Sequence, residues 1–199
     1  MVRNANSSSR RQSHAAKLVD LFASHLSTRA KVMQLARMAS FWNSFEGWLK
    51  WELASVACEQ WGCRPWETQL PTAEWLSIGV EYKAQLVTRQ MMTRVKKQID
   101  LWVCPPRSKK HVYVELKVAF NNGNAKKQFA SARDDLACLL AVEQAMLAGW
   151  VVLIVVVGFE RSYFDGWLEQ EGGRLMWLAD RTGRGAEETP SIGLVSFTS

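Results

Sequence analysis

The sequence predicts an α/β fold, and three observations carry that prediction. Two neighbouring stretches, 99–104 and 112–120, alternate apolar and polar residues with period two. A later run, 150–157 (WVVLIVVV), is apolar throughout and β-branched, which reads as a central strand covered on both faces. Helical spacing precedes the first pair and separates it from the third run, giving the order helix, strands, helix, buried strand. With 199 residues, 48% of them hydrophobic, and ten Trp, the chain can bury one sizeable core and is not disordered in composition.

Taken in order, residues 1–14 (MVRNANSSSRRQSH) are polar and turn-rich and predict a flexible basic arm. Leu18, Leu21, Phe22 and Leu26, then Val32 and Leu35, predict a helical extension over 15–39. The α/β domain takes the remainder, 40–199. Its first helix is capped at Ser40 or Asn43 and runs to about Trp61, where Gly62 stops it. Pro65 and Pro71 mark a loop, and Ile78, Val80 and Tyr82 predict a strand between Trp75 and Val87.

In the first clean strand Ile99, Leu101 and Val103 face one way and Asp100, Trp102 and Cys104 the other. In the second, Val112, Val114, Leu116, Val118 and Phe120 oppose Tyr113, Glu115 and Lys117. An antiparallel hairpin centred between Arg107 and Ser108 pairs Leu101 with Val114 and Val103 with Val112, keeping both apolar sets on one side. The same register sets Asp100 across from Glu115. The Asn-Asn-Gly-Asn turn at 121–124 leads into a helix over 125–148 that ends before Gly149. The buried strand follows, then a short helix within 160–171 and strands at 174–180 and 191–197.

Charge is unevenly spread. Residues 1–40 hold seven Lys and Arg against Asp20, and residues 83–128 hold eleven against Asp100 and Glu115 alone. The other segments are acidic, with 7 basic against 16 acidic residues. Positive charge therefore gathers around the two strand carboxylates, where it attracts a polyanion. Cys58, Cys63, Cys104 and Cys138 show neither CxxC spacing nor a His at zinc-ligand distance, so they predict buried, reduced thiols of a cytoplasmic protein. No apolar run is long enough for a membrane span, and the N-terminus lacks a secretory apolar core.

Asp100, Glu115 and Lys117 carry the chemistry. Carboxylates facing each other across strands repel, and a hard divalent cation reverses that interaction because it prefers oxygen ligands. Mg²⁺ or Mn²⁺ so held acidifies a water and stabilises charge developing on phosphorus. Lys117 stands two residues from Glu115 on the same face, placed to position or deprotonate that water and to offset negative charge. Glu-x-Lys alone is an ordinary feature of exposed strands. The paired Asp, the basic surroundings and the helix-then-buried-strand sequel give it weight.

Asp100, fourteen residues, then Glu115-Leu116-Lys117 on a strand resembles the PD-(D/E)xK nuclease superfamily, over roughly residues 41–158. The resemblance implies a restriction-endonuclease-like core of helix, three antiparallel strands, helix and parallel strand, and metal-dependent hydrolysis of phosphodiesters. It implies Asp100 and Glu115 as ligands of Mg²⁺ or Mn²⁺, with the main-chain carbonyl of Leu116, and Lys117 at the water. Ile99 stands where many members have Pro. Members often add an acid from the first core helix, and Glu46 and Glu52 are the candidates here. The apolar stripe of Trp42, Phe45, Leu49, Leu53 and Val56 runs between them, each about 60° from its centre. Periodicity does not choose, and the tilt is toward Glu52, deeper in the helix.

Members also use a Gln or Lys early in the helix after the Glu-x-Lys strand. Gln128, Lys126 and Lys127 occupy that place, although the Tyr found four residues later in one subfamily is Ala132 here. Lys109 and Lys110, on the hairpin connection, complete the candidate substrate contacts. His111 at the strand start and the aromatic rings of Trp102 and Tyr113, on the Asp100 face, are further candidates for lining the site or stacking bases. The expected function is a Mg²⁺-dependent endonuclease acting on DNA in restriction, defence, mobile-element or repair processes. The expected assembly is a homodimer or a larger nucleoprotein complex. An RNA-cleaving enzyme and a non-catalytic nucleic-acid-binding or assembly subunit of the same fold are the alternatives.

Overall fold

The structure is a computed structural model, and it describes residues 12–41, 44–62, 78–87, 94–108, 110–141, 147–179 and 190–199. Three helices come first: α1 (His14–Leu26), α2 (Arg29–Ser40) and α3 (Glu46–Trp61). Strands β1 (Ile78–Val87), β2 (Arg94–Val103) and β3 (His111–Phe120) lead to α4 (Ala125–Ala141) and β4 (Leu147–Val157). A 3₁₀ turn at Arg161–Phe164, α5 (Trp167–Glu171), β5 (Arg174–Ala179) and β6 (Ile192–Thr198) close the chain. The sheet has six strands in the order β1-β2-β3-β4-β6-β5. Only the β3–β4 pair is parallel, joined through α4; the others are antiparallel.

Two cores sandwich this sheet. On one face Leu18, Phe22, Leu49 and Leu53 from the first three helices meet Val112, Val114 and Leu116 of β3 and Val151, Leu153 and Val155 of β4. On the other, Ala132, Leu136 and Leu139 of α4 meet Ala119, Val152, Ile154 and Phe159. β4 is buried along nearly its whole length, as an apolar run covered on both faces must be. The chain is mixed α/β, and the 15–39 helices are built into the layer that holds α3. Most of the predicted arm over 1–14 lies outside the described residues; at its end Ser13 accepts the Ala16 N–H as a side-chain cap and His14 opens α1. Residues 75–77 of the first predicted strand are also outside them.

Three expectations are corrected. The helix predicted to run to 148 ends at Ala141, and β4 begins at Leu147, so Gly149 lies inside a strand instead of ending a helix. Gly149 is there because α1 crosses close by: a Cβ at this position would lie 2.9 Å from Ser199 Oγ and 3.0 Å from the Ala15 Cβ. Ile99 does not share a core with Leu101 and Val103; it packs with the α4 layer while they pack with the α1–α3 layer. Ile99 lies beyond the pairing of β2 with β3, which runs from Val103 to Leu101. Cys58, Cys104 and Cys138 carry reduced thiols, as expected, but half-buried instead of buried; burial pushes the Cys58 and Cys104 thiols up from their ordinary value. Cys63 is outside the described residues. No helix among them is long and apolar enough to cross a membrane.

The close approach at Gly149 sets a test of this packing. Gly149→Val should lower the unfolding free energy by about 1–3 kcal/mol, read as a lower midpoint in urea. An unchanged midpoint would mean that α1 does not sit against β4 as described.

Candidate active site

The site forms where β2 leaves β3. β2 pairs with β1 along its full length, from Val87↔Arg94 to Ile78↔Val103. It pairs with β3 only over Leu101↔Val114, Trp102↔Tyr113 and Val103↔Val112, the register expected from the sequence. Asp100 and Glu115 are the next residue on each strand, and the ladder ends before reaching them. The expected cross-strand pair is thus not a ladder pair. Instead the Asp100 carboxylate reaches across, and its Oδ2 accepts the Leu116 N–H at 2.8 Å. A backbone donor that would otherwise need a strand carbonyl is satisfied by a side chain, which lets the strands part without an orphaned N–H.

Both carboxylates are buried: Asp100 is 8% exposed and Glu115 3%. Lysines from both sides of the sheet meet them. Lys50, from α3, places Nζ 2.9 Å from Asp100 Oδ1 and 3.4 Å from Glu46 Oε1. Lys117, from β3, places Nζ 3.9 Å from Asp100 Oδ2 and 3.0 Å from Asp135 Oδ2 of α4. Burial pulls the Lys117 ammonium down, but the Asp135 hydrogen bond and charge, followed by the charges of Asp100 and Glu115, outweigh it and hold the group above its ordinary value. In this arrangement Lys117 is a cation and a donor.

The structure therefore brings Asp100, Glu115 and Lys117 to one place and adds two residues the sequence reading missed. Lys50 sits in the buried arc of α3 with Leu49, Leu53, Ala54 and Ala57. Asp135 borders the buried arc of α4 formed by Ala132, Leu136 and Leu139. A charged residue inside an apolar arc is the signal that could have found Lys50, since a buried charge requires a partner. Gln128, Ser131 and Asp135, spaced i, i+3, i+7, share one stripe of α4 and are all part-buried.

The two helix acids separate. Glu46 lies one turn before Lys50 and is tied to it. Glu52 is bound instead to His25 Nε2 of α1, at 2.6 Å, and to Lys31 of α2. The tilt toward Glu52 is corrected: His25 and Lys31 of the helical layer hold it, and it fastens α1 and α2 to α3. Burial raises the Glu52 carboxyl, but hydrogen bonds from Lys31 and His25 and their charges bring it below its ordinary value.

Of the remaining candidates, Lys126 and Lys127 are exposed in the first turn of α4, Lys110 is exposed before β3, and Lys109 lies outside the described residues. Trp102 is buried, with its ring edge-to-face with His111 at 4.4 Å, so neither ring is offered to a base as expected. Tyr113 is half-buried against the α4-side core. Among the described residues no three His, Cys, Asp or Glu side chains group as metal ligands. Asp100 and Glu115 are two hard oxygen donors in a buried setting, a set that suits Mg²⁺ or Mn²⁺, which commonly take one or two carboxylates and keep water for the rest. Comparison with protein-family models, with curated proteins and with solved structures finds no match.

Because the Glu52 carboxyl is lowered in the folded state, its stabilisation is present above the ordinary glutamate value of about 4.3 and is lost as pH falls through the lower, folded value. Glu52→Gln should therefore be less stable than wild type at neutral pH, with the difference shrinking as pH drops below about 4.3. Denaturant unfolding at stepped pH measures it. A difference that stays constant into acid would contradict the His25–Glu52–Lys31 linkage.

Proposed function

We propose that the protein is a metal-dependent endonuclease that hydrolyses DNA phosphodiester bonds, of the restriction-endonuclease-like type its Asp–Glu-x-Lys pattern resembles. The observation that carries this reading is the meeting of Asp100, Glu115 and Lys117 at the point where β2 and β3 part, with Asp100 fixed by the Leu116 N–H. Support comes from the helix before the strands, the parallel β3–β4 pair and the α4 crossover, which follow the order such a core requires.

Asp100 and Glu115 would hold Mg²⁺ or Mn²⁺. The N–H and C=O of one strand residue leave toward the same neighbour, so the Leu116 carbonyl lies on the edge that its N–H turns to Asp100 and can add a third oxygen. When bound, the ion supplies an acidified water and stabilises charge on the phosphoryl oxygens. The Lys117 ammonium donates toward that water and offsets the charge that grows as the bond breaks. Asp135 keeps Lys117 oriented, and Glu46 stands one helical turn from Lys50 at the rim. Gln128, two turns before Asp135 on the same stripe of α4, would be a substrate contact.

DNA is favoured as partner by where positive charge falls on the fold. The part of the hairpin that has left β3 carries Lys83 on β1 and Arg94, Lys96 and Lys97 on β2. Lys126 and Lys127 occupy the first turn of α4, which has no acidic residue. Cations at that end oppose the helix dipole, and a polyanion relieves the conflict. A second reading, a non-catalytic nucleic-acid-binding or assembly subunit, is favoured by one observation. Asp100 is already engaged by Lys50 and Leu116, and Lys117 by Asp135, which is also how a site without turnover would close upon itself.

Supercoiled plasmid and RNA, each incubated with Mg²⁺, Mn²⁺ or EDTA, decide between these. Cleavage of DNA should require the metal, and Asp100→Ala and Lys117→Ala should each slow it by about 10²-fold or more. Cleavage surviving both substitutions would sink the site, cleavage of RNA alone would move the substrate class, and binding without cleavage under every condition would select the second reading.

A further inference from the structure

Lys50 is a lysine with 8% exposure whose ammonium lies 2.9 Å from one oxygen of Asp100. It is one of the buried residues of α3, with Leu49, Leu53, Ala54 and Ala57. The other Asp100 oxygen takes the Leu116 N–H. Asp100 Oδ2 is thus held by a fixed backbone donor, with Lys117 at 3.9 Å, while Oδ1 is held by the Lys50 cation, which unlike the backbone donor can leave. Glu46 Oε1, 3.4 Å from the same ammonium, gives it somewhere to go.

We propose that Lys50 is a resident counter-ion of the metal site: it neutralises Asp100 in the metal-free protein and must surrender that carboxylate when a divalent ion binds. The inference rests on the metal-dependent reading above. The two cations cannot both take Asp100 Oδ1 at bonding distance, and an ammonium beside the ion repels it. Lys50 therefore lowers metal affinity while preventing an uncompensated buried carboxylate, which would destabilise the fold. By reciprocity, the factor by which Lys50 weakens metal binding equals the factor by which metal weakens the hold of Lys50 on Asp100. Lys50 acts through Asp100 and is a positioning residue.

The test uses the full chain and Mn²⁺ alone, without nucleic acid, in wild type, Lys50→Met, Lys50→Gln and Lys50→Arg. Calorimetric titration should show Mn²⁺ bound about tenfold more tightly by Lys50→Met and Lys50→Gln, the change expected for a coupling of the usual size between two sites. Lys50→Arg, which keeps the cation, should stay near wild type. Urea unfolding should find both uncharged variants less stable than wild type in EDTA, with the gap closing at saturating Mn²⁺. If Lys50→Met does not fold in EDTA, recovery of its fold on adding Mn²⁺ reports the same competition. If wild type binds Mn²⁺ and the uncharged variants bind it equally or more weakly, the counter-ion role is overturned and the nuclease reading stands. If neither wild type nor any variant binds Mn²⁺, the metal-dependent reading itself falls.

Discussion

The hydrogen bond from the Leu116 N–H to the Asp100 carboxylate is the contact on which the site depends. A strand edge inside a protein must satisfy its donors, and here a side chain takes over where the neighbouring strand departs. Without that acceptor, β2 would either continue its ladder along β3 and close the gap, or leave a buried N–H unsatisfied at a cost of about 1–3 kcal/mol. With it, β2 and β1 can diverge together while β3 stays locked to β4 from His111 to Phe120. The gap so made is where groups from α3, β2, β3 and α4 can meet.

What meets there is a network of charge, not of apolar contact. Asp100, Glu46 and Asp135 are joined through Lys50 and Lys117, while the charge of Glu115 also acts on Lys117. Taking such groups out of water is costly, and a buried ion network is seldom more stable than well-packed apolar residues of the same volume. The rest of the core shows that this chain packs apolar residues readily, with β4 buried on both faces. The charged network is thus set beside such a core and not replaced by more of it. The helical layer has a smaller one of its own, in which Glu52 fastens His25 and Lys31, and its role is to join helices.

Much of the scaffold was legible from periodicity. The hairpin register followed from requiring both apolar sets to share a face, and β4 from an unbroken β-branched run. The site was legible as far as Glu115, Lys117 and Asp100 occupy predictable strand positions. The rest was hidden for physical reasons. Lys50 reads as a surface residue because long cationic side chains usually reach water, and nothing in a helix period announces the carboxylate across the layer that holds it. Asp135 lies beside the leucine stripe of α4, where an acid reads as solvated. Glu46 and Glu52 are symmetric about their stripe, so only the neighbouring helices, α1 and α2, separate them. Ile99 lies beyond the β2–β3 pairing and packs with the α4 side, and Gly149 reads as a helix stop although it makes room for α1.

The proposed divalent-metal site lies on Asp100 and Glu115, where β2 parts from β3. The most direct measurement is anomalous diffraction from crystals soaked in Mn²⁺. One Mn²⁺ peak bonded to oxygens of both carboxylates is expected, with Lys50 displaced from Asp100 toward Glu46. Lys50 still seated on Asp100 at saturating Mn²⁺, with no peak between the two carboxylates, would contradict it.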